Sequence, residues 1–170
     1  MSSDCRAGIA FGANLGDRLS SLTTARERLL TLPGATPPFL SSALYETEPV
    51  DCEPGAEKFL NAIVEIGYVG ASRQLLTELR KIEDALGRPP DHERNQSRTI
   101  DLDLLYHGER TVDEKDLQLP HRRMHLRAFV LRPLAEIRPD LVLPGQVKTV
   151  RELCEELPLS ASVVRSPRQW

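Results

Sequence analysis

Two aspartates, Asp101 and Asp103, stand two apart in the run Arg98-Thr99-Ile100-Asp101-Leu102-Asp103-Leu104-Leu105-Tyr106. The run reads as a β-strand, and side chains two apart on a strand share a face, with Cα atoms about 6.5–7 Å apart. Ile100, Leu102 and Leu104 take the opposite face and can bury it. Paired carboxylates are hard oxygen ligands. They suit Mg²⁺, which takes one or two carboxylates and completes its shell with water and substrate phosphate oxygens. Arg88, Arg94 and Arg98 lie just upstream. Guanidinium groups beside metal-binding carboxylates are the layout of a phosphoryl-transfer site. Out of context, an Asp-x-Asp pair marks a solvated strand more often than a metal site. The apolar alternate positions and Arg98 shift this one toward metal.

Other residues carry weaker signals. Phe59 and Asn61 face one way on a second strand, so an aromatic ring stands beside an amide. That pairing suits a flat heterocycle, by stacking and two-way hydrogen bonding; it suits an inward Phe and a satisfied Asn equally well. His121, Arg122, Arg123, His125, Arg127 and Arg132 form a basic stretch that reads as a solvated helix face. On such a helix Arg127 and Phe129 diverge, and both reach one ligand only near its N-terminal end. Gly12-Ala13-Asn14-Leu15-Gly16 lacks the spacing of a dinucleotide-binding or P-loop glycine motif and reads as a structural turn.

Alternating and helical periods supply the elements that must position these residues. Ala7–Phe11 is a strand, followed by a turn and a helix capped near Asp17, with Leu19, Leu22, Ala25, Leu29 and Leu32 at helical spacing and Pro33-Gly34 as its stop. A strand is expected over Phe39–Thr47 and a loop over Glu48–Lys58. Phe59–Val69 alternates, with Leu60, Ala62, Val64 and Ile66 on one face and Phe59, Asn61, Ile63 and Glu65 on the other. A second helix runs from Ser72 to Leu86 with Gly87 as its C′ residue. The polar segment Arg88–Ser97 leads to the Asp-x-Asp strand. A third helix is expected over Met124–Leu131 with Pro133 near its end; Leu141–Leu143, a helix at Val150–Leu157 and Ser162–Arg165 complete the order. The class is α+β. The order is that of a ferredoxin-like β-α-β-β-α-β core, a largely antiparallel sheet with helices packed on a face, plus an α-rich C-terminal extension.

At 170 residues the chain suits one domain, 1–170. A net charge of −3 argues against a general nucleic-acid binder. Three widely spaced cysteines, Cys5, Cys52 and Cys154, indicate neither a disulfide framework nor a zinc site, and a reducing cytoplasm is expected. No apolar run approaches a membrane span, and the first residues lack signal-peptide regions. The expected partners are small molecules, with no nucleic acid and no membrane, and the chain is expected to act as a monomer.

The separate signals also occur in a recognisable order. Gly12-x-Asn14-Leu15-Gly16-Asp17, Tyr45-x-Thr47-x-Pro49, Phe59-Leu60-Asn61, Gly87-Arg88, Arg98-Thr99-Ile100-Asp101-Leu102-Asp103 and Leu119-Pro120-His121-x-x-Met124-x-x-Arg127-x-Phe129-Val130-Leu131-x-Pro133-Leu134 follow one another along nearly the whole chain. The chain resembles the 6-hydroxymethyl-7,8-dihydropterin pyrophosphokinases of folate biosynthesis. The resemblance implies transfer of the ATP diphosphate to the pterin hydroxymethyl group with release of AMP. It implies Asp101 and Asp103 as ligands of two Mg²⁺ ions, with Arg88 and Arg98 completing the catalytic set. It implies a pterin pocket of Thr47, Val50, Phe59, Asn61 and Phe129, and ATP contacts from Glu83, Arg88, Arg98, His121 and Arg127. The chain departs from the family pattern at Pro90, Asn95 and Arg122, where the family often carries a basic residue, a tryptophan and a tyrosine. Two other readings are weighed beside this one: a Mg²⁺-dependent nucleotidyltransferase, which also uses paired strand aspartates, and a non-catalytic ferredoxin-like module.

Overall fold

The structure is a computed structural model that describes residues 5–49, 53–87, 99–158 and 163–170. Strand β1 (Arg6–Ala13) places Ala7, Ile9, Phe11 and Ala13 on one face, all of them buried. Helix α1 (Arg18–Leu30) is capped by the Asp17 carboxylate, which accepts the Ser20 N–H at 3.0 Å and satisfies one orphan donor of the first turn. Leu22, Ala25 and Leu29 of α1 meet the buried face of β1.

The strand expected over Phe39–Thr47 is two strands, β2 (Ala35–Ser41) and β3 (Tyr45–Thr47). The break lies at Ser42, whose N–H bonds the Ile63 carbonyl while its hydroxyl accepts the Ile63 N–H, each at 2.9 Å. β2 also starts earlier than expected. Pro37 and Pro38 fall inside it, where the register slips between Thr36 and Leu40, so the missing donors interrupt no ladder. β4 (Phe59–Tyr68) has the two faces expected of it: Leu60, Ala62, Val64 and Ile66 join the α1 side, and Ile63 lies opposite.

Helix α2 (Ser72–Ala85) buries Leu75, Leu79 and Ile82, and Gly87 follows in the left-handed region at φ 90°. β5 (Asp101–His107) carries the two aspartates. A hairpin of β6 (Val112–Glu114) and β7 (Leu117–Leu119) follows, which the sequence reading did not include. The helix expected over Met124–Leu131 is a 3-10 turn at Met124–Leu126 and then α3 (Ala128–Ile137). Arg127 separates them in an extended conformation, φ −112° and ψ 111°. Pro133 lies inside α3 rather than near its end. Burial of Val130, Leu131, Pro133 and Leu134 outweighs the one hydrogen bond that the proline removes. α4 (Val150–Glu156) is closed by a capping box of Thr149 and Glu152, and β8 (Val163–Arg165) ends the order.

The sheet runs β5-β1-β4-β3-β8, with β2 also on β4, and every described pairing is antiparallel. The two helices of the β-α-β-β-α-β order share one face, as expected, and the C-terminal helices cover the other. α1 and α2 pack on one; on the other, α3 and α4 pack with Ile63, Leu105 and Tyr106. The aspartates therefore stand on a face that α3 only partly covers.

Candidate active site

Leu102 and Leu104 point into the α1–α2 core, so Asp101 and Asp103 point to the α3 face, both half-buried. Strand register builds a row across that face. Asp101 pairs with Gly12, Gly12 with Asn61, and Asn61 with Tyr45. Adjacent strands lie about 4.8 Å apart, which sets the backbones of Asp101 and Asn61 roughly 10 Å from each other with only Gly12 between them. A Cβ at position 12 would lie 3.3 Å from Asn61 Oδ1 and 3.9 Å from Phe59 Cδ1. Gly12 thus keeps a trough open between the carboxylates and the amide. In the sequence Gly12 reads only as part of a turn; the signal for more is its place opposite Phe11 and Ala13 in the strand alternation.

On the far side of the trough, Asn61 Nδ2 donates to Thr47 Oγ1 at 2.9 Å, and both residues are buried. This bond fixes the amide orientation and turns Oδ1 toward Gly12. Phe59 pairs in register with Thr47 and is half-buried on the same face. Phe129, in the first turn of α3, packs against the cluster that contains Ile63.

His121 enters from the segment after β7, where its backbone N–H donates to the Leu105 carbonyl at 2.7 Å. The Arg123 N–H donates to His121 Nδ1 at 3.2 Å, so the neutral ring carries its proton on Nε2. Burial, then the Arg127 and Arg123 guanidinium groups, hold this histidine below the usual range against the pull of the Asp101 carboxylate. The Arg127 guanidinium lies 5.5 Å from the centre of the Phe129 ring. The two do not diverge, because Arg127 precedes α3 rather than belonging to it.

Glu83 is buried on α2, and its Oε1 accepts the Leu102 N–H at 2.7 Å. That N–H lies on the side of β5 away from β1 and between the two aspartates. Val50, Arg88 and Arg98 lie outside the described residues, as do Pro90 and Asn95. The basic stretch is no helix face: Arg122 lies 3.8 Å from Asp113, and Arg132 donates to the Val163 carbonyl at 2.7 Å. A cleft of about 600 Å³ near the C-terminal segment, lined by Arg26, Ser42, Glu136, Arg165 and Trp170 among others, contains none of the site residues.

The donor set fits Mg²⁺. Two carboxylates share a face beside a trough, and no cluster of three or more His, Cys, Asp or Glu able to hold a metal occurs among the described residues. An ion held by two carboxylates completes its shell with water and phosphate oxygens, the habit of Mg²⁺ rather than of a zinc or calcium cage.

Fold and site together define an α+β protein whose antiparallel sheet carries two carboxylates on the same face as an aromatic ring and a buried amide. The chain belongs to the 7,8-dihydro-6-hydroxymethylpterin-pyrophosphokinase (HPPK) family, whose model matches residues 8–139. A 2-amino-4-hydroxy-6-hydroxymethyldihydropteridine pyrophosphokinase of Methylorubrum extorquens is 43% identical over 153 residues, 89% of this chain and 93% of the relative. The Bacillus subtilis protein of the same name is 42% identical over 131 residues, 77% of each chain. Among solved structures, wild-type Plasmodium falciparum HPPK-DHPS superposes with a TM-score of 0.69 at 15% identity and shares the fold. The match covers 89% of this chain and 44% of that longer one.

Proposed function

We propose that this protein transfers the diphosphate of ATP to the hydroxymethyl group of 6-hydroxymethyl-7,8-dihydropterin, releasing AMP, as a step of folate biosynthesis. The observation that carries the reading is the row Asp101–Gly12–Asn61, which sets two carboxylates across an open trough from a fixed amide. Family membership gives the reaction, and the row supports its assignment to this face.

Asn61 spends one amide hydrogen on Thr47 and offers its carbonyl to the edge of the pterin ring. Phe59 and Phe129 take the two faces of the ring, and Val50 joins Thr47 in lining the pocket. Asp101 and Asp103 would hold two Mg²⁺ ions, which when bound lower the pKa of the attacking hydroxyl and offset charge on the phosphates. The hydroxyl oxygen gives up its proton to solvent and bonds to the β-phosphorus as the bond to the α–β bridging oxygen breaks, and AMP leaves with that oxygen. His121 Nε2–H donates to a phosphate oxygen. Arg127, Arg88 and Arg98 neutralise charge on the transferring diphosphate and on AMP. Glu83 contributes at the ATP side while its carboxylate fixes β5.

The strand order supports a ferredoxin-like core with a C-terminal extension of α3, α4 and β8 in a single domain over 1–170. No helix among the described residues is long and apolar enough to cross a membrane. We read the protein as a cytoplasmic monomer acting on small molecules.

Incubation with ATP, Mg²⁺ and the hydroxymethyl pterin tests the proposal. AMP and pterin diphosphate are expected in equal amounts. Pyrophosphate with an adenylylated pterin marks a nucleotidyltransferase instead, and ADP marks a simple kinase.

A further inference from the structure

We infer that Asn14 and Arg18 are positioning residues for the pterin pocket, acting as a clamp on the neck of the segment 48–58. The inference rests on the functional reading above, since it concerns how that pocket is held.

The segment leaves β3 at Thr47 and returns to β4 at Phe59, and these two residues are register partners. Both stems of the neck therefore carry pocket residues. Any displacement of the neck is passed directly to the Phe59 ring and to the hydroxyl that holds Asn61. The neck is gripped from the turn between β1 and α1. Asn14 Nδ2 donates to the Glu57 carbonyl at 3.2 Å, and Arg18 Nη1 donates to the Lys58 carbonyl at 2.6 Å. Arg18 Nη2 also lies 3.9 Å from Glu46 Oε1 on β3. One guanidinium thus touches both stems, and Asn14 holds the residue next along.

Burial separates this clamp from an ordinary surface contact. Asn14 is 1% exposed, and the Arg18 side chain is 16% exposed. Lys58 and Glu48 also pair across the neck at 3.1 Å, but both side chains are 55% exposed, where an ion pair contributes little. The carbonyls of Glu57 and Lys58 immediately precede Phe59, so their anchoring sets where β4 begins. Neither clamp residue is placed at the reacting atoms. His121 and Arg127, assigned to ATP, arrive from a different segment, between β7 and α3. The consequence is an asymmetry: loosening the clamp weakens pterin binding and spares ATP.

The test uses the full chain with Asn14→Asp, Arg18→Ala and Arg18→Lys. Asn14→Asp keeps the shape and removes the donor. Arg18→Lys keeps a single donor and the charge. The affinity of a non-hydrolysable ATP analogue with Mg²⁺ is measured first, then that of the hydroxymethyl pterin in its presence. Loss of one hydrogen bond to a carbonyl, part-buried for Asn14 and exposed for Arg18, predicts a rise in pterin Kd of roughly fivefold for Asn14→Asp and Arg18→Ala. ATP-analogue Kd should shift by less than about twofold, the signature of a change confined to one subsite. Arg18→Lys should recover part of the pterin affinity. Arg18→Ala decides the matter should Asn14→Asp fail to fold. Unchanged pterin affinity in a folded variant, or equal loss for both ligands, overturns the inference alone. A wild-type protein that binds the ATP analogue and no pterin overturns the functional reading and the clamp with it.

Discussion

Removal of the Glu83 carboxylate should loosen both aspartates at once. Among the described residues β5 ends the sheet and no strand pairs with its outer edge, and the Leu102 N–H is answered by Glu83 Oε1 at 2.7 Å. Leu102 is 4% exposed and Glu83 is 7% exposed, so water does not readily replace the acceptor. Glu83→Ala then leaves a buried donor unpaired, at a cost of about 1–3 kcal/mol. Glu83→Gln keeps an oxygen at the same reach and exchanges a charge-assisted bond for a neutral one, a difference of about 1 kcal/mol. Leu102 stands between Asp101 and Asp103, so the strand shift that follows loss of the acceptor moves both carboxylates. The Ala variant is expected to unfold at lower urea and to need more Mg²⁺ for half-maximal turnover. The Gln variant should retain most of both properties. Urea unfolding and a Mg²⁺ titration of turnover are the assays. If Glu83→Ala unfolds at the wild-type urea concentration, or if Gln damages Mg²⁺ dependence as much as Ala, the positioning argument fails.

Two further outcomes are expected. Gly12→Ala puts a methyl group 3.3 Å from Asn61 Oδ1, which the fold should absorb at a cost of about 1 kcal/mol, while pterin Kd rises roughly tenfold or more; an unchanged pterin titration would mean that the trough is not the pterin site. His107 is held below the usual histidine range by burial and by Arg110, and His121 by burial and by Arg127. Below about pH 6.5 the unfolded chain binds protons that the folded chain refuses, so their contribution to stability is full above that pH and is lost as the pH falls. His107→Gln should flatten the fall in unfolding free energy between about pH 7.5 and 5.5, and a slope equal to wild type would remove His107 from the account.

The faces of β1, β4 and β5 were readable because strand alternation is local: Phe59, Asn61 and Ile63 follow from period alone, as do Asp101 and Asp103. The Asp17 cap of α1 and Gly87 after α2 were readable for the same reason. Features that depend on a distant partner were not. The division of β2 from β3 needs Ile63 to meet Ser42. Glu65 reads as one more polar strand position, yet it is buried and accepts from Arg6, Arg138 and Tyr106, which come from β1, the end of α3 and β5. The start of α3 was misplaced because Arg127 turns extended where the helical period continues through it. Helices on both faces follow from apolar residues of α3 and α4 whose period does not say which side of the sheet they cover. At the candidate site the motifs named Thr47, Phe59, Asn61, Asp101, Asp103, His121, Arg127 and Phe129, and the structure places them around one face. The roles of Gly12, Asn14 and Arg18 needed the register and the loop neck to become visible.

Turnover of Asp101→Asn and Asp103→Asn at saturating Mg²⁺ tests the central claim most directly. Asparagine keeps the shape and removes the charge that holds a cation. Each variant is expected to stay folded, with urea unfolding near that of wild type, and to form AMP at least roughly a hundredfold more slowly, the scale of losing a main electrostatic contributor to the transition state. Near wild-type AMP formation by either variant would contradict a phosphoryl-transfer site built on this pair.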